Sequence, residues 1–164
     1  MKSVLVAAML SASLAYAQTE IGPWYVSDMT DGTGSFAGTV NDSGALFGKY
    51  CYSNAQTCLW IMTADVGCKS GSEYPVLLNT DGGAAQVTVS CKPIDGKNRY
   101  FFNDYAVVED AVAGSARIGF AFPMANGQFQ VTRFDIRQST AALKALDAKM
   151  RKRPSKSSTR DTML

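Results

Sequence analysis

Hydrophobic and polar residues alternate with a period of two along much of this chain. In the clearest stretch the apolar positions are Ala85, Val87, Val89 and Cys91, with polar residues between them. This pattern is typical of a β-strand with one buried face, so we expect Cys91 to point inward. A second strand is predicted at 74–79, and the Asp81-Gly82 turn before Ala85 makes the two strands a hairpin.

The same reading predicts six further strands, at 24–26, 35–40, 45–52, 56–63, 118–122 and 127–137. The segment 59–62 is apolar at both parities, so its strand should lie in the middle of the sheet. Within 127–137, Phe129 and Val131 share one parity and Phe134 and Ile136 the other. That change of parity predicts a β-bulge near 132–133.

Two segments have a helical pattern. Asp104 is an N-cap candidate for a short helix that ends at Gly114. Ser139 is an N-cap candidate for a longer one, whose apolar face consists of Ala142, Leu143, Leu146 and Met150. The sequence therefore predicts an α+β, β-rich fold: an antiparallel sheet, a sandwich or a partly open barrel, with a C-terminal helix packed on it.

The beginning of the chain has the features of an export signal. Lys2 is followed by an apolar run over 4–14 and by the cleavage motif Ala15-Tyr16-Ala17. The run is shorter than the roughly 20 residues of a membrane-spanning helix. We expect residues 1–17 to be a signal peptide, 18–150 a single disulfide-stapled β-rich domain and 151–164 a disordered basic tail. The mature protein should be periplasmic or secreted.

The four cysteines, Cys51, Cys58, Cys68 and Cys91, all lie after the predicted signal peptide. In an oxidising compartment an even number of cysteines predicts disulfides, here two. Three pairings are possible, and we favour Cys51–Cys58 with Cys68–Cys91 because each bond links neighbours along the chain. The spacing lacks the CxxC pairs of a zinc site, so no metal site is predicted.

Composition narrows the chemistry. The chain has no histidine, which excludes Ser-His-Asp triads, Cys-His pairs and HExxH zinc sites. Acidic residues near Gly-rich turns, at 28, 31, 42 and 81, fit local turn chemistry, although paired carboxylates could serve a small hydrolase. Glu109 and Asp110 are expected on a solvated helix face. We predict no catalytic residue and no cofactor.

Two kinds of residue are candidates for binding. Tyr52 lies near the tip of a predicted hairpin, and Trp24 belongs to an aromatic set that could line a partner surface. The basic tail residues could contact an anionic surface, and the formal net charge of the whole chain is only +2. Those tail residues are Arg151, Lys152, Arg153, Lys156 and Arg160.

The segments 117–123, 127–136 and 139–146, together with the first strand at 22–26 and Cys91, resemble the invasion-associated locus B family of bacterial exported proteins. This resemblance implies a periplasmic or secreted β-rich domain with a host- or envelope-related role and no established catalytic residues. It assigns no functional residue to this chain.

The preferred hypothesis is a non-catalytic binding protein of the bacterial envelope or host interface. Its partner would be another protein or a component of the envelope or host surface, with no nucleic acid and no transmembrane span. Two alternatives remain open: an envelope inhibitor or immunity protein that blocks an enzyme, and a carboxylate-dependent hydrolase.

Overall fold

Ten β-strands pair into one sheet that is antiparallel throughout and curls into a half-barrel. The structure, a computed structural model, describes residues 18–29, 32–53, 57–64, 67–94 and 97–152. The strands are β1 (Thr19–Ile21), β2 (Trp24–Asp28), β3 (Gly34–Val40), β4 (Leu46–Tyr52), β5 (Cys58–Met62), β6 (Glu73–Thr80), β7 (Gly83–Ile94), β8 (Lys97–Phe102), β9 (Arg117–Pro123) and β10 (Phe129–Asp135). The helices are α1 (Tyr105–Ala113) and α2 (Ser139–Lys152).

The strand order is β1-β2-β3-β4-β5-β8-β7-β6-β9-β10. Strands β1–β5 form one meander, and β6–β10 form a second group. The two groups meet where β5 pairs with β8, through Ile61 opposite Phe101 and Met62 opposite Tyr100. On the other side of the half-barrel, the Asn41 side chain after β3 donates to the Arg133 carbonyl of β10 at 3.1 Å.

The main core lies on the inner face of the sheet, where both helices pack. Phe47 is fully buried there, and its ring stacks on Trp60 with centroids 5.1 Å apart. Val108 and Val112 of α1 and Ala142 and Leu146 of α2 belong to the same buried cluster. The α+β fold with a C-terminal helix packed on the sheet is therefore confirmed.

Both predicted helices are present, but their cap residues act differently from the prediction. The Asp104 side chain does not cap α1; it accepts a hydrogen bond from the Thr88 backbone N–H at 2.6 Å. The Ser139 hydroxyl donates to the Val112 carbonyl at 2.9 Å. These side chains therefore fix the helices to neighbouring elements. Helix α2 also continues to Lys152, two residues past the predicted end of the domain.

The predicted bulge in β10 is wrong. The register with β9 runs unbroken from Phe129 opposite Pro123 to Asp135 opposite Arg117. Thr132 points inward, with the same parity as Phe134. Phe129 and Val131 point outward and are 61% and 38% exposed. The change of apolar parity thus comes from hydrophobic residues on the outer face.

Two strands were not predicted. β1 is short, and β8 has three consecutive aromatic residues, Tyr100, Phe101 and Phe102, which hide a period of two. β8 lies at the centre of the sheet, so aromatic residues are needed on both of its faces. β5 is central, as its two apolar faces predict.

Two disulfides are present, in the favoured pairing. Cys51–Cys58 joins directly opposite residues of β4 and β5, and Cys68–Cys91 attaches the segment before β6 to β7. Because disulfides persist in oxidising compartments, they indicate an extracytoplasmic location. Across the described ranges, no helix is long and apolar enough to cross a membrane.

Candidate functional site: an outward aromatic cluster

The sheet face that points away from the helices carries a second apolar cluster. Its centre, buried to within 8% exposure, consists of Phe36, Tyr50, Ile61 and Phe101. Half-buried residues around it are Tyr25, Met29, Leu46, Tyr52, Leu59 and Ile94. We call these ten residues the outer aromatic cluster. All of them lie on strands or directly after one, so neither helix contributes to it.

A pair of glycines makes room for the aromatic rings. Gly38 of β3 lies opposite Gly48 of β4, and the ring of Phe36 rests over both. A Cβ on Gly38 would lie 2.2 Å from Phe36 Cε1, and one on Gly48 would lie 2.4 Å from the Ala37 carbonyl oxygen. Any side chain at either position would therefore displace the ring or the backbone.

A shallow groove of about 200 Å³ runs over the cluster. Its walls are mainly apolar, and Arg99 is the only charged residue among the described ones that line it. Burial raises the pKa of Tyr25 above its ordinary value, while the nearby Arg99 acts in the opposite direction. Tyr25 and Phe36 contact each other with ring centroids 5.7 Å apart.

One border of the cluster is basic. Lys92 of β7 lies directly opposite Arg99 of β8, and Lys97 lies opposite Ile94. The Lys92 ammonium lies 5.5 Å from the centroid of the Phe101 ring. Within the described ranges, none of these three cations has a carboxylate within ion-pair distance. We call Lys92, Lys97 and Arg99 the basic border.

On the inner face, Lys49 forms a half-buried ion pair with Glu109 of α1. The ammonium lies 2.9 Å from the carboxylate, which also accepts a hydrogen bond from the Trp60 ring nitrogen at 2.8 Å. Burial alone would lower the pKa of Lys49, but hydrogen bonds with Tyr105 and Glu109 outweigh it and raise that pKa. Burial of the Tyr105 side chain raises its pKa, although the hydrogen bond with Lys49 acts to lower it.

The sequence prediction of a solvated Glu109 missed this pair. A signal was present: Lys49 shares the inward parity of Phe47 and Cys51, and an inward charge in an apolar strand requires a partner. The partner could not be identified from the sequence, because it lies 60 residues away on another element. The pair attaches α1 to the sheet.

A second groove, of about 300 Å³, follows β9 on the outer face. Its floor includes the small residues Gly119 and Ala121, and its rim includes Arg117 and Arg133. Arg117 lies 3.7 Å from the Asp81 carboxylate, with both side chains well exposed. This groove has no aromatic wall.

The two aromatic candidates from the sequence lie on opposite faces. Tyr52 belongs to the outer aromatic cluster and meets Tyr50 edge-on, with ring centroids 4.4 Å apart. Trp24 is 1% exposed in the inner core, and its ring nitrogen has no hydrogen-bond partner among the described residues. Strand alternation sends neighbours to opposite faces, so Tyr25, not Trp24, faces outward.

Of the predicted tail residues, Arg151 and Lys152 are exposed in the last turn of α2, a correction to the tail boundary. Arg153, Lys156 and Arg160 lie outside the described residues, as does the predicted signal peptide 1–17. Lys149, just before them, pairs with Asp28 at 3.1 Å.

Two of the described carboxylates near predicted turns, those of Asp28 and Asp81, are held by neighbouring groups. Asp28 ends β2 and accepts a hydrogen bond from Ser35 at 2.8 Å, and Asp81 accepts one from the Ala116 backbone. Across the described ranges, no group of three or more acidic or cysteine side chains could hold a metal ion.

The comparisons with known proteins agree with the fold. A scan of family models and a search of curated proteins find no match. Among solved structures, the chain is similar to the crystal structure of invasion associated protein b from Bartonella henselae, with a TM-score of 0.59. The two proteins share a fold. The match covers 82% of this chain and 99% of invasion associated protein b, at 17% sequence identity. The resemblance stated from the sequence is thus confirmed at the level of the fold.

Proposed function

We propose that this protein is a non-catalytic binding protein of the bacterial envelope or host interface, periplasmic or secreted, whose binding surface is the outer aromatic cluster. The observation that carries the proposal is a mainly apolar groove of about 200 Å³ over an aromatic cluster, on the sheet face that neither helix covers. A concave site with mainly apolar walls and a few polar groups is typical of binding sites in proteins.

The composition of the cluster favours a macromolecular partner. Tyr, Phe, Met and Arg are the residues enriched at protein interfaces, and the cluster with Arg99 contains all four. The aromatic side chains also pack on one another, which limits the conformational entropy that binding would cost. The likeness to a protein called invasion associated supports a host-related role.

The absence of catalysis is part of the proposal and has its own support. Among the described residues, no carboxylate lines the aromatic groove, and Asp81 is the only one that lines the β9 groove. The paired carboxylates of a hydrolase would need to face each other across one groove. The chain has no histidine for a general base.

The test is capture of partners from envelope and host-surface extracts by immobilised protein 18–164. The variant Tyr52→Ser/Leu59→Ser changes two half-buried members of the cluster. The matched control, Phe129→Ser, changes an outward aromatic residue on β10 that is 61% exposed. We expect partners captured by the wild type to be lost by the cluster variant and kept by the control. Capture that survives in a folded cluster variant would contradict the assignment of this surface.

A further inference from the structure

We propose that the outer aromatic cluster and the basic border together bind an acidic segment of a partner polypeptide, which places a carboxylate between Lys92 and Arg99 and apolar side chains in the groove. This inference rests on the proposed function and specifies the chemistry of the partner.

The charges of the basic border favour an acidic partner. Lys92 and Arg99 are directly opposite on neighbouring strands, and like charges in that position destabilise a sheet. Lys97 adds a third cation on the same face. With no carboxylate within ion-pair distance among the described residues, an acidic side chain from a partner would replace this repulsion by two attractions.

The guanidinium of Arg99 also favours an anion. The Arg99 Nε atom is buried, and it has no hydrogen-bond partner among the described residues. A buried donor without an acceptor is unfavourable, and a carboxylate is the acceptor that a guanidinium binds best. Arg99 also lines the groove, so an anion bound there would be adjacent to the apolar walls.

The aromatic groove is small. Small-molecule sites usually enclose about 300–1,000 Å³. The aromatic groove, at about 200 Å³ and open on one side, is smaller than that. It can hold one or two apolar side chains of a peptide, which is how an interface anchor residue binds. The geometry therefore favours a polypeptide over a buried small ligand.

The charge pattern also gives the bound segment a direction. At the opposite border, Glu20 of β1 lies across from Tyr25 and would repel an acidic group. The acidic end of the segment therefore lies over β7 and β8, and its apolar end lies over β2–β5. Such a partner meets complementary charge at one border only.

The experiment is selection from a random dodecapeptide display library on immobilised protein 18–164. We expect enriched peptides to combine acidic with aromatic or aliphatic residues. The variant Lys92→Glu/Arg99→Glu should instead enrich basic peptides. The matched control, Arg117→Glu/Arg133→Glu, reverses two outward charges elsewhere on the sheet and should keep the acidic preference. Enrichment of neutral peptides, no enrichment, or the same preference in all three proteins would overturn the proposal.

An affinity measurement sharpens the test. For the best acidic peptide, Arg99→Gln should weaken binding about tenfold, the effect of losing one charge-assisted hydrogen bond. Unchanged affinity in this variant would also overturn the proposal. Phosphatidylglycerol vesicles provide the competing arm: vesicle binding without peptide enrichment would assign the surface to a membrane. The display library could enrich no acidic peptide while Tyr52→Ser/Leu59→Ser still loses the captured partners. That pair of results would reject the acidic partner and leave the proposed function unaffected.

Discussion

The two faces of β4 are both rich in hydrophobic residues but are covered differently. On the inner face, Phe47 and Cys51 are fully buried in the core that the helices complete. On the outer face, Leu46, Tyr50 and Tyr52 are shielded mainly by other strand side chains. The comparison shows that burial alone does not distinguish residues that stabilise the fold from residues that bind a partner. We expect inner-face changes to affect stability and outer-face changes to affect recognition.

The largest stability effect is expected on the inner face, from Phe47→Ala. This ring contacts four other buried aromatic rings, and its removal should cost about 3–5 kcal/mol of unfolding free energy. Urea unfolding followed by circular dichroism measures the change. If Phe47→Ala lowered the free energy of unfolding by less than Tyr52→Ser does, the assignment of stability to the inner face and recognition to the outer face would be contradicted.

The disulfides should contribute next. In the loop-entropy model, replacing both cysteines of Cys68–Cys91 by alanine costs about 3.4 kcal/mol, and the same change at Cys51–Cys58 about 2.5 kcal/mol. The difference reflects sequence separations of 23 and 7 residues. Urea unfolding of the two double variants under oxidising conditions tests the order. A reversed order would show that native packing, not loop length, decides the contribution.

The Lys49–Glu109 pair allows a pH test. Glu109→Gln removes the carboxylate partner of the Lys49 ammonium, whose side chain is 10% exposed, and should lower the free energy of unfolding by about 1–3 kcal/mol. We expect the low end of this range because the Glu109 side chain is a third exposed.

Because folding raises the pKa of Lys49 above 10.5, its contribution is complete below that pH and is lost as pH rises through the folded-state pKa. As the pH rises toward the folded-state pKa of Lys49, the free energy of unfolding should therefore decrease more steeply in the wild type than in Lys49→Met. Parallel curves for the two proteins in unfolding measurements from pH 8 to 11.5 would refute the linkage.

The smallest stability effect is expected on the outer face. Tyr52→Ser removes an edge-on contact with Tyr50 and should cost about 1 kcal/mol. Thermal unfolding checks this value, and partner capture by the same single variant should nevertheless decrease. A variant that unfolds at growth temperature would mean that Tyr52 is a core residue.

Sequence reasoning succeeded where the signal is local. The alternation around Val87 and Val89, the helical spacing of Ala142 and Leu146, and the favoured cysteine pairing all appear in the structure. It failed where a residue's role depends on distant strands. The sheet's curl decides which of its two faces becomes the inner core, and therefore whether Trp24 is buried or faces outward.

The candidate site was predicted only in part. Tyr52 was identified because it lies near a hairpin tip, but the cluster also needs Phe101 from β8 and Ile94 from β7. Those strands are far from β4 in sequence and meet it only through the pairing of β5 with β8. The basic border likewise depends on the cross-strand register of Lys92 and Arg99, which composition does not reveal.

The short junction between β5 and β8 has a consequence for the kinetics of folding. The β1–β5 meander, the β6–β8 meander and the β9–β10 hairpin close short loops, whereas the junction pairs Ile61 with Phe101 and the β6–β9 pairing joins Leu77 with Ala121, in both cases far apart along the chain. Local pairings form before distant ones because loop closure costs more entropy as the loop lengthens. We therefore expect these three units to form early and to join one another late. Until they do, Ile61 and Phe101 at the centre of the binding surface remain separated, so recognition should be among the last properties that a newly exported chain acquires.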